Sequence, residues 1–168
     1  MNIELIIETI VDSVKAIGWV VNHIFSLRLE RRRHNLTAQL KYTERQLEEL
    51  YGPLAFLLIE REQVFKDLLS ALGRNYVFVE GQELAEDELK TWLFWVENSF
   101  LPSSKKIGDL LESKVHLIEG NRLPDSYKEL VMHFSSWEIR HQRWKKEKVE
   151  YSWHSSVSYP QQFSVDVF

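Results

Sequence analysis

The chain lacks cysteine altogether and carries few glycines and prolines, six and four among its 168 residues. Without cysteine it forms no disulfide, holds no metal through a thiolate and has no cysteine nucleophile, and this usage is typical of a reducing compartment. A strong excess of one charge is also missing, since 25 acidic and 21 basic side chains give a formal net charge of −4. Net charge therefore gives no general support to nucleic-acid binding, and only local basic clusters remain to be considered.

The sequence motifs of common enzyme classes are absent as well. No GxxxxGK[ST], GxGxxG, HExxH or GxSxG pattern occurs, so nucleotide binding, zinc-dependent proteolysis and serine-elbow hydrolysis have no motif support. The six histidines never stand three or four residues apart, the spacing that places two metal ligands on one helix face. We therefore predict that the protein is not an enzyme and has no catalytic residue, no metal site and no cofactor.

The first 34 residues hold a long apolar stretch with one polar stripe. A surface helix of a soluble domain shows the opposite balance, an apolar stripe on a polar cylinder. This helix is therefore predicted to be surrounded by hydrocarbon or protein on most sides, with one edge in water. At about 100° per residue, roughly a quarter of the circumference carries the polar side chains Glu4, Glu8, Asp12, Lys15, Asn22, His23 and Ser26.

The length and apolar content of this segment favour a membrane span that depends on assembly. Residues 3–27 would form a helix about 37 Å long, enough for a hydrocarbon core of about 30 Å. Apolar side chains contribute roughly −4 to −8 kcal/mol to insertion, and Asp12 and Lys15 cost about 2.5–3.5 kcal/mol each. A lone helix is near break-even, whereas several copies could turn their polar edges towards a shared aqueous lumen. The predicted pore-lining residues are Glu4, Glu8, Asp12, Lys15 and Asn22.

A cluster of arginines follows the apolar stretch directly: Arg28, Arg31, Arg32 and Arg33. Under the positive-inside rule it marks a cytoplasmic membrane boundary. We expect residues 1–34 to form the membrane helix, with its amino terminus outward, and residues 35–168 to form a cytoplasmic helical domain. Two alternatives stay open: a helix lying flat in the membrane interface, and the buried central helix of a soluble bundle.

The rest of the chain is predicted to be helical. The first helix should continue through a short heptad seam (Leu36, Leu40, Thr43, Leu47 and Leu50) until Gly52 and Pro53 break it. A second helix should end at Gly73, a third should cover 84–100, and a fourth should start at Pro102 and end at Gly120. A capping box of Ser126 and Glu129 should open the last long helix, and the sequence after Val149 should form an irregular tail that packs through its aromatic side chains.

Periodicity also predicts which side chains point inward. On the last long helix the expected stripe is Tyr127, Leu130, Phe134, Trp137, His141 and Trp144. His141 on this stripe is expected to be a hydrogen-bonded core histidine. His133 lies at the edge of the stripe, where a cleft could expose it, but a general base would need a partner that the sequence does not identify.

Two basic patterns raise the possibility of RNA chemistry. Arg28 and His34 fit the loose R-x(4–6)-H spacing of HEPN ribonucleases, a spacing that an arginine-rich chain produces readily. Arg140, Arg143 and Lys145 surround Trp144 and could contact RNA through phosphates and stacking. The simpler interpretation of this second cluster is the solvated end of a helix whose cations complement the helix dipole.

The linear order of several segments carries a resemblance: YGPL at 51–54, the tryptophan-rich stretch at 92–102, HLIEGNRLPDSYKELVMH at 116–133 and WEIRHQRW at 137–144. Together with the chain length and the leading helix, they resemble the small membrane accessory proteins of type VI-B CRISPR systems, a HEPN-like helical family. The resemblance implies a ring-shaped homo-oligomeric pore in the bacterial inner membrane that strengthens antiphage defence beside an RNA-guided RNase. The carboxyl-terminal half contains no R-x(4–6)-H, and Lys148 and His154 are its nearest approach.

The sequence thus predicts an all-α, ring-forming homo-oligomer with a membrane-spanning amino-terminal helix. The expected function is a pore that depolarises or permeabilises the membrane during antiphage defence, with membrane lipids as partners. The alternatives are an RNA-binding or RNA-cleaving protein of HEPN type and a soluble helical adaptor.

Overall fold

The computed structural model describes residues 3–78, 84–120, 122–149 and 157–167, with side chains from residue 15 onward except Ala16. Within these ranges the secondary structure is entirely helical, which confirms the all-α prediction. The chain forms two compact units, residues 1–44 and residues 45–168.

The first unit is one helix. Helix α1 covers Ile3–Gln46, its last residues belonging to the second unit, and its 44 residues make it about 66 Å long. All of its described side chains from Lys15 to Arg45 are exposed, including Leu36 and Leu40 of the predicted heptad seam. Of the five residues of the predicted seam, Leu50 is therefore buried and the other four are exposed in the described structure.

Within the described residues the second unit contains five further helices, and the chain stays helical at the two prolines where the sequence predicted breaks. A π-helical turn at Leu47–Tyr51 joins α1 to α2, which covers Gly52–Leu72. A second π-helical turn, Val96–Phe100, joins α3 (Glu86–Trp95) to α4 (Leu101–Lys114). The predicted breaks before Pro53 and Pro102 are therefore wrong.

The two prolines explain the two π turns. Each proline stands two residues after the last residue of its π turn, and its ring would collide with the carbonyl four residues earlier in a regular α-helix. One inserted residue widens the helix at that point and removes the collision without ending the helix. At the first turn the Gly52 N–H donates to Leu47 O, and a Cβ on Gly52 would stand only 2.7 Å from that oxygen. Gly52 is therefore required by the close approach of the backbone.

The end of α2 was predicted correctly, and two later boundaries were not. Gly73 ends α2 in the left-handed conformation, with φ of 66°. Helix α4 stops at Lys114 and passes into a 3₁₀ turn, Val115–Leu117, before Gly120 is reached. Helix α5 covers Asp125–Glu147, and no side chain caps it. Ser126 lies inside its first turn, where its hydroxyl donates to Asp166 instead, so the predicted capping box is wrong.

The tail is more ordered than the sequence indicated. Helix α6 covers Gln161–Val167, and Phe163 within it is fully buried, with its ring edge-to-face on Tyr127 at 4.8 Å. The prediction of an irregular tail is wrong for these residues, whereas packing through aromatic side chains is confirmed there. Burial of Phe163 explains this helix, because tertiary packing supplies most helical stability in short segments.

The core of the second unit consists of two clusters of buried side chains. The predicted inward stripe of α5 is confirmed at Tyr127, Leu130, Phe134, Trp137 and His141, which are buried, whereas Trp144 is only half-buried. One cluster contains Leu50, Leu54, Leu58, Ile107, Leu111, Leu117, Ile118, Tyr127, Leu130, Phe134 and Phe163. The other contains Leu68, Val77, Trp92, Val96, Phe100 and Trp137.

Candidate functional site

The most unusual surface of the protein is the exposed apolar part of α1, which we call the α1 surface. It comprises Ile17, Val20, Val21, Ile24, Phe25 and Leu27, with exposed fractions from 42% for Leu27 to 68% for Phe25. Single exposed apolar residues are ordinary, but a contiguous set of this size marks an interaction surface.

The polar edge of α1 is described only in part. Lys15 and Asn22 are exposed, like every other described side chain of α1 up to Arg45. Asn22 accepts a hydrogen bond at its backbone oxygen from the Ser26 hydroxyl, at 2.9 Å. The side chains of the other predicted pore-lining residues, Glu4, Glu8 and Asp12, lie outside the described part of the structure.

Trp19 was not assigned to either face of α1 by sequence reasoning. At about 100° per residue it falls within the polar stripe, between Lys15 and His23. Its ring is 68% exposed and stacks in parallel on the His23 ring, with centroids 5.3 Å apart. The stripe therefore contains a bulky aromatic pair about one turn from Lys15.

The length and apolar content of the helices bear on the prediction of a membrane span. Among the helices in the described residues, none is long and apolar enough to cross a membrane.

The arginine cluster lies on the same helix. Arg28, Arg31, Arg32 and Arg33 are all exposed. His34 is also exposed, six residues after Arg28, which places the two side chains about 9 Å apart along the axis and about 120° apart around it. The two side chains of the R-x5-H match therefore do not converge on one point of the helix surface.

The second basic cluster is largely paired with carboxylates. Arg143 forms an ion pair with Glu147 at 2.9 Å, and Lys145 forms one with Glu97 at 2.9 Å. Arg140 is partly buried. Because the left-handed Lys148 follows at the carboxyl end of α5, this cluster has the features of a capped helix end.

His141 has the structural role that the sequence predicted. It is buried, and its Nε2 lies 3.2 Å from Glu97 Oε1. Glu97 also accepts from Lys145, and hydrogen bonds from Lys145 and His141 hold the pKa of the Glu97 carboxyl below its usual range. The prediction of a hydrogen-bonded core histidine is confirmed.

A second candidate site lies inside the bundle, around a guanidinium that sequence reasoning missed. Arg61 on α2 donates from Nη1 to Phe100 O at 3.2 Å and to Ser104 Oγ at 3.0 Å. Its Cζ stands 5.5 Å from the Phe100 ring centroid and 5.2 Å from that of Phe134. Burial lowers the pKa of the Arg61 guanidinium, a sign that the charge is poorly hydrated.

His133 faces the same cavity from α5. Its Nδ1 lies 2.7 Å from the Val157 carbonyl oxygen, which only accepts, so Nδ1–H is the donor and Nε2 carries the lone pair in the neutral ring. Burial and the nearby Arg61 charge lower the pKa of His133, while the hydrogen bond to Val157 opposes this shift. Burial therefore favours the neutral form of the ring.

The cavity has a volume of about 570 Å³, in the usual range for a small-molecule site. We call it the Arg61 cavity. Its walls are mostly apolar and aromatic, among them Ile59, Phe65, Trp92 and Tyr159. Glu62, His133 and Ser164 add polar groups beside Arg61. The sequence did carry one signal, because Leu54, Leu58, Arg61, Phe65 and Leu68 follow inward spacings of four and three.

In the described residues, no three His, Asp or Glu side chains come together in a way that could hold a metal ion. Comparisons with family models, with curated proteins and with solved structures find no match to this chain.

Proposed function

We propose that this protein is a self-assembling membrane protein whose amino-terminal helices line a pore. The observation that supports the proposal best is the α1 surface, where large apolar side chains are exposed along a helix with a polar edge. Each such side chain gains about 1.5–3 kcal/mol when it leaves water. A surface of this kind favours cover by lipid or by other copies of the helix.

Assembly is the step that makes this helix suitable for a membrane. Polar side chains such as Lys15 and Asn22 make a lone span unfavourable. In a ring of copies these side chains would face a common aqueous lumen, and the α1 surface would face lipid. The helix would then need no partner other than lipid and further copies of itself.

The lumen would have a defined order of side chains. The predicted carboxylate levels at Glu4, Glu8 and Asp12 would favour cations. Lys15 and the Trp19–His23 stack would follow at the next levels, and the bulky rings would narrow the passage. The arginines from Arg28 to Arg33 would lie at the cytoplasmic boundary. The antiphage role beside an RNA-guided RNase rests on the resemblance alone.

The test uses two variants of equal charge on opposite sides of α1. The first carries Ile17→Asp, Val21→Asp and Ile24→Asp, and the matched control carries Asn22→Asp, His23→Asp and Ser26→Asp on the polar edge. Each is measured by membrane fractionation and vesicle flotation. The first variant should leave the membrane fraction, because each carboxylate in lipid costs about 2.5–3.5 kcal/mol, whereas the control should remain bound. Wild-type protein that is recovered without detergent, or equal behaviour of the two variants, would refute the membrane assignment.

A second experiment separates a pore from a membrane anchor. Wild-type protein reconstituted in planar bilayers should conduct ions, and replacing Glu8 by Gln and Asp12 by Asn should reduce cation preference without preventing insertion. The measurement is repeated with host lysate, which supplies any activating component. Membrane binding without conductance under both conditions would show that the protein is a membrane anchor and not a pore.

A further inference from the structure

The Arg61 cavity presents a half-buried guanidinium whose two hydrogen-bond acceptors within the described residues are uncharged. Nη1 donates both bonds, to the backbone oxygen of Phe100 and to the hydroxyl of Ser104. Both acceptors are neutral, and in the described part of the chain no ion pair includes Arg61. Partial removal of a guanidinium from water is unfavourable unless it gains an anionic partner. The contact with the Phe100 and Phe134 rings offsets only part of this cost.

The remaining donors of Arg61 define the shape of the missing partner. A guanidinium carries five N–H groups in a planar fork, and within the described residues Nε and Nη2 of Arg61 make no hydrogen bond. This edge of the fork matches the two oxygens of a carboxylate. Because Nη1 and the two aromatic contacts hold the guanidinium in place, an anion would meet a donor that is already oriented.

The other walls indicate what carries the carboxylate. Phe65, Trp92, Trp137 and Tyr159 line the cavity together with Leu58 and Phe100. Aromatic walls of this kind favour a flat apolar body, through edge-to-face or offset contacts. Polar groups are few: Glu62 pairs with Lys66 at 2.6 Å, and His133 Nδ1 lies 2.7 Å from the Val157 carbonyl oxygen. A ligand with several charges would leave most of them without partners.

We propose that the Arg61 cavity binds a small monocarboxylate with an aromatic body, held by the free edge of the Arg61 guanidinium between the aromatic walls. Its volume of about 570 Å³ accommodates such a molecule. The site lies entirely within residues 45–168, so the proposal does not depend on a membrane role for α1.

The direct test is isothermal titration calorimetry of the full-length protein with 4-phenylbutyrate. The neutral 4-phenylbutanol and the aliphatic octanoate are the comparison ligands. A hydrogen bond between charged groups contributes about 1.5–3 kcal/mol to binding. The alcohol has no carboxylate to form it, so it should bind roughly ten- to a hundredfold more weakly than the acid. Octanoate should bind more weakly than 4-phenylbutyrate. An alcohol that binds as tightly as the acid, or no binding of the acid at millimolar concentration, would overturn the proposal.

Two pairs of variants separate a loss of ligand binding from a loss of folding. Arg61→Gln should weaken the binding of 4-phenylbutyrate at least tenfold and leave the affinity for 4-phenylbutanol unchanged. Arg61→Lys should restore part of the lost affinity. Ile59→Glu adds a carboxylate to the lining, while Phe56→Glu adds one on the same helix away from the cavity; both native side chains are exposed, 58% and 68%. Ile59→Glu should weaken binding of the acid and Phe56→Glu should not. Equal affinities for these two folded variants would contradict the assignment.

Discussion

Two regions of this protein bury their apolar side chains to very different extents. In residues 45–168, apolar side chains from five helices form two clusters, and Leu50, Leu54, Ile107, Leu117 and Leu130 are completely inaccessible. In the described part of residues 1–44, apolar side chains equally large are exposed along one helix. Both regions have helical periodicity, so periodicity alone does not decide burial. What differs is whether the chain itself supplies the covering surface, and for α1 we propose that lipid and further copies supply it.

The largest effect should come from truncating leucines in the two regions. Leu130→Ala removes a fully buried side chain from the core and should lower the free energy of unfolding by about 2–5 kcal/mol. Leu40→Ala removes a side chain that is 60% exposed on α1 and should change the free energy of unfolding by less than about 0.5 kcal/mol. Urea unfolding followed by circular dichroism measures both. A Leu40→Ala cost as large as that of Leu130→Ala would mean that α1 is the central helix of a soluble core.

A smaller effect is expected at the first π turn of residues 45–168, where Gly52 lies against Leu47 O. Gly52→Ala places a Cβ at 2.7 Å from that backbone oxygen and should destabilise the protein by about 1–3 kcal/mol. Gly108→Ala is the matched control, because its Cβ would meet nothing within 4 Å in the middle of α4. That control should be neutral or stabilising by about 0.5–1 kcal/mol. Thermal unfolding of the two variants compares them, and equal melting temperatures would show that the π turn tolerates a side chain.

The smallest effect concerns pH and the ion pairs around Glu49. Hydrogen bonds from Arg45 and then from Lys114 lower the pKa of Glu49 from 4.5 to about 2. Since the folded pKa is the lower one, this carboxylate contributes stability above pH 4.5 that is lost as the pH falls towards 2. The side chains are partly exposed, so the contribution is modest. Glu49→Gln should reduce the dependence of stability on pH in this window, and an unchanged slope would show that the ion pairs are not formed in solution.

The helical fold could be predicted from the sequence because its signals are local. The inward stripe of α5 follows from the 3.6-residue period, and the end of α2 follows from Gly73. The π turns could not be predicted, because Gly52-Pro53 and Leu101-Pro102 also fit a broken helix. Whether a proline ends a helix or widens it depends on tertiary packing around it.

The two candidate sites also differ in how far the sequence reveals them. The α1 surface is visible in the sequence because it lies on one helix. Arg61 was missed because Glu60, Arg61 and Glu62 look like a solvated charged run, and only the packing of α2 against α4 and α5 shows that the middle charge is held among aromatic rings. His133 was noticed without a partner, since Arg61 is distant in sequence and the tail that supplies Val157 was predicted to be irregular.

The central claim is that α1 is covered by lipid and by copies of itself, and electron microscopy of the detergent-extracted particle tests it most directly. Protein expressed at full length and purified from membranes should give ring-shaped particles with several copies of α1 around a central lumen. A uniform population of single copies, with α1 packed on its own bundle or free in solution, would contradict the account.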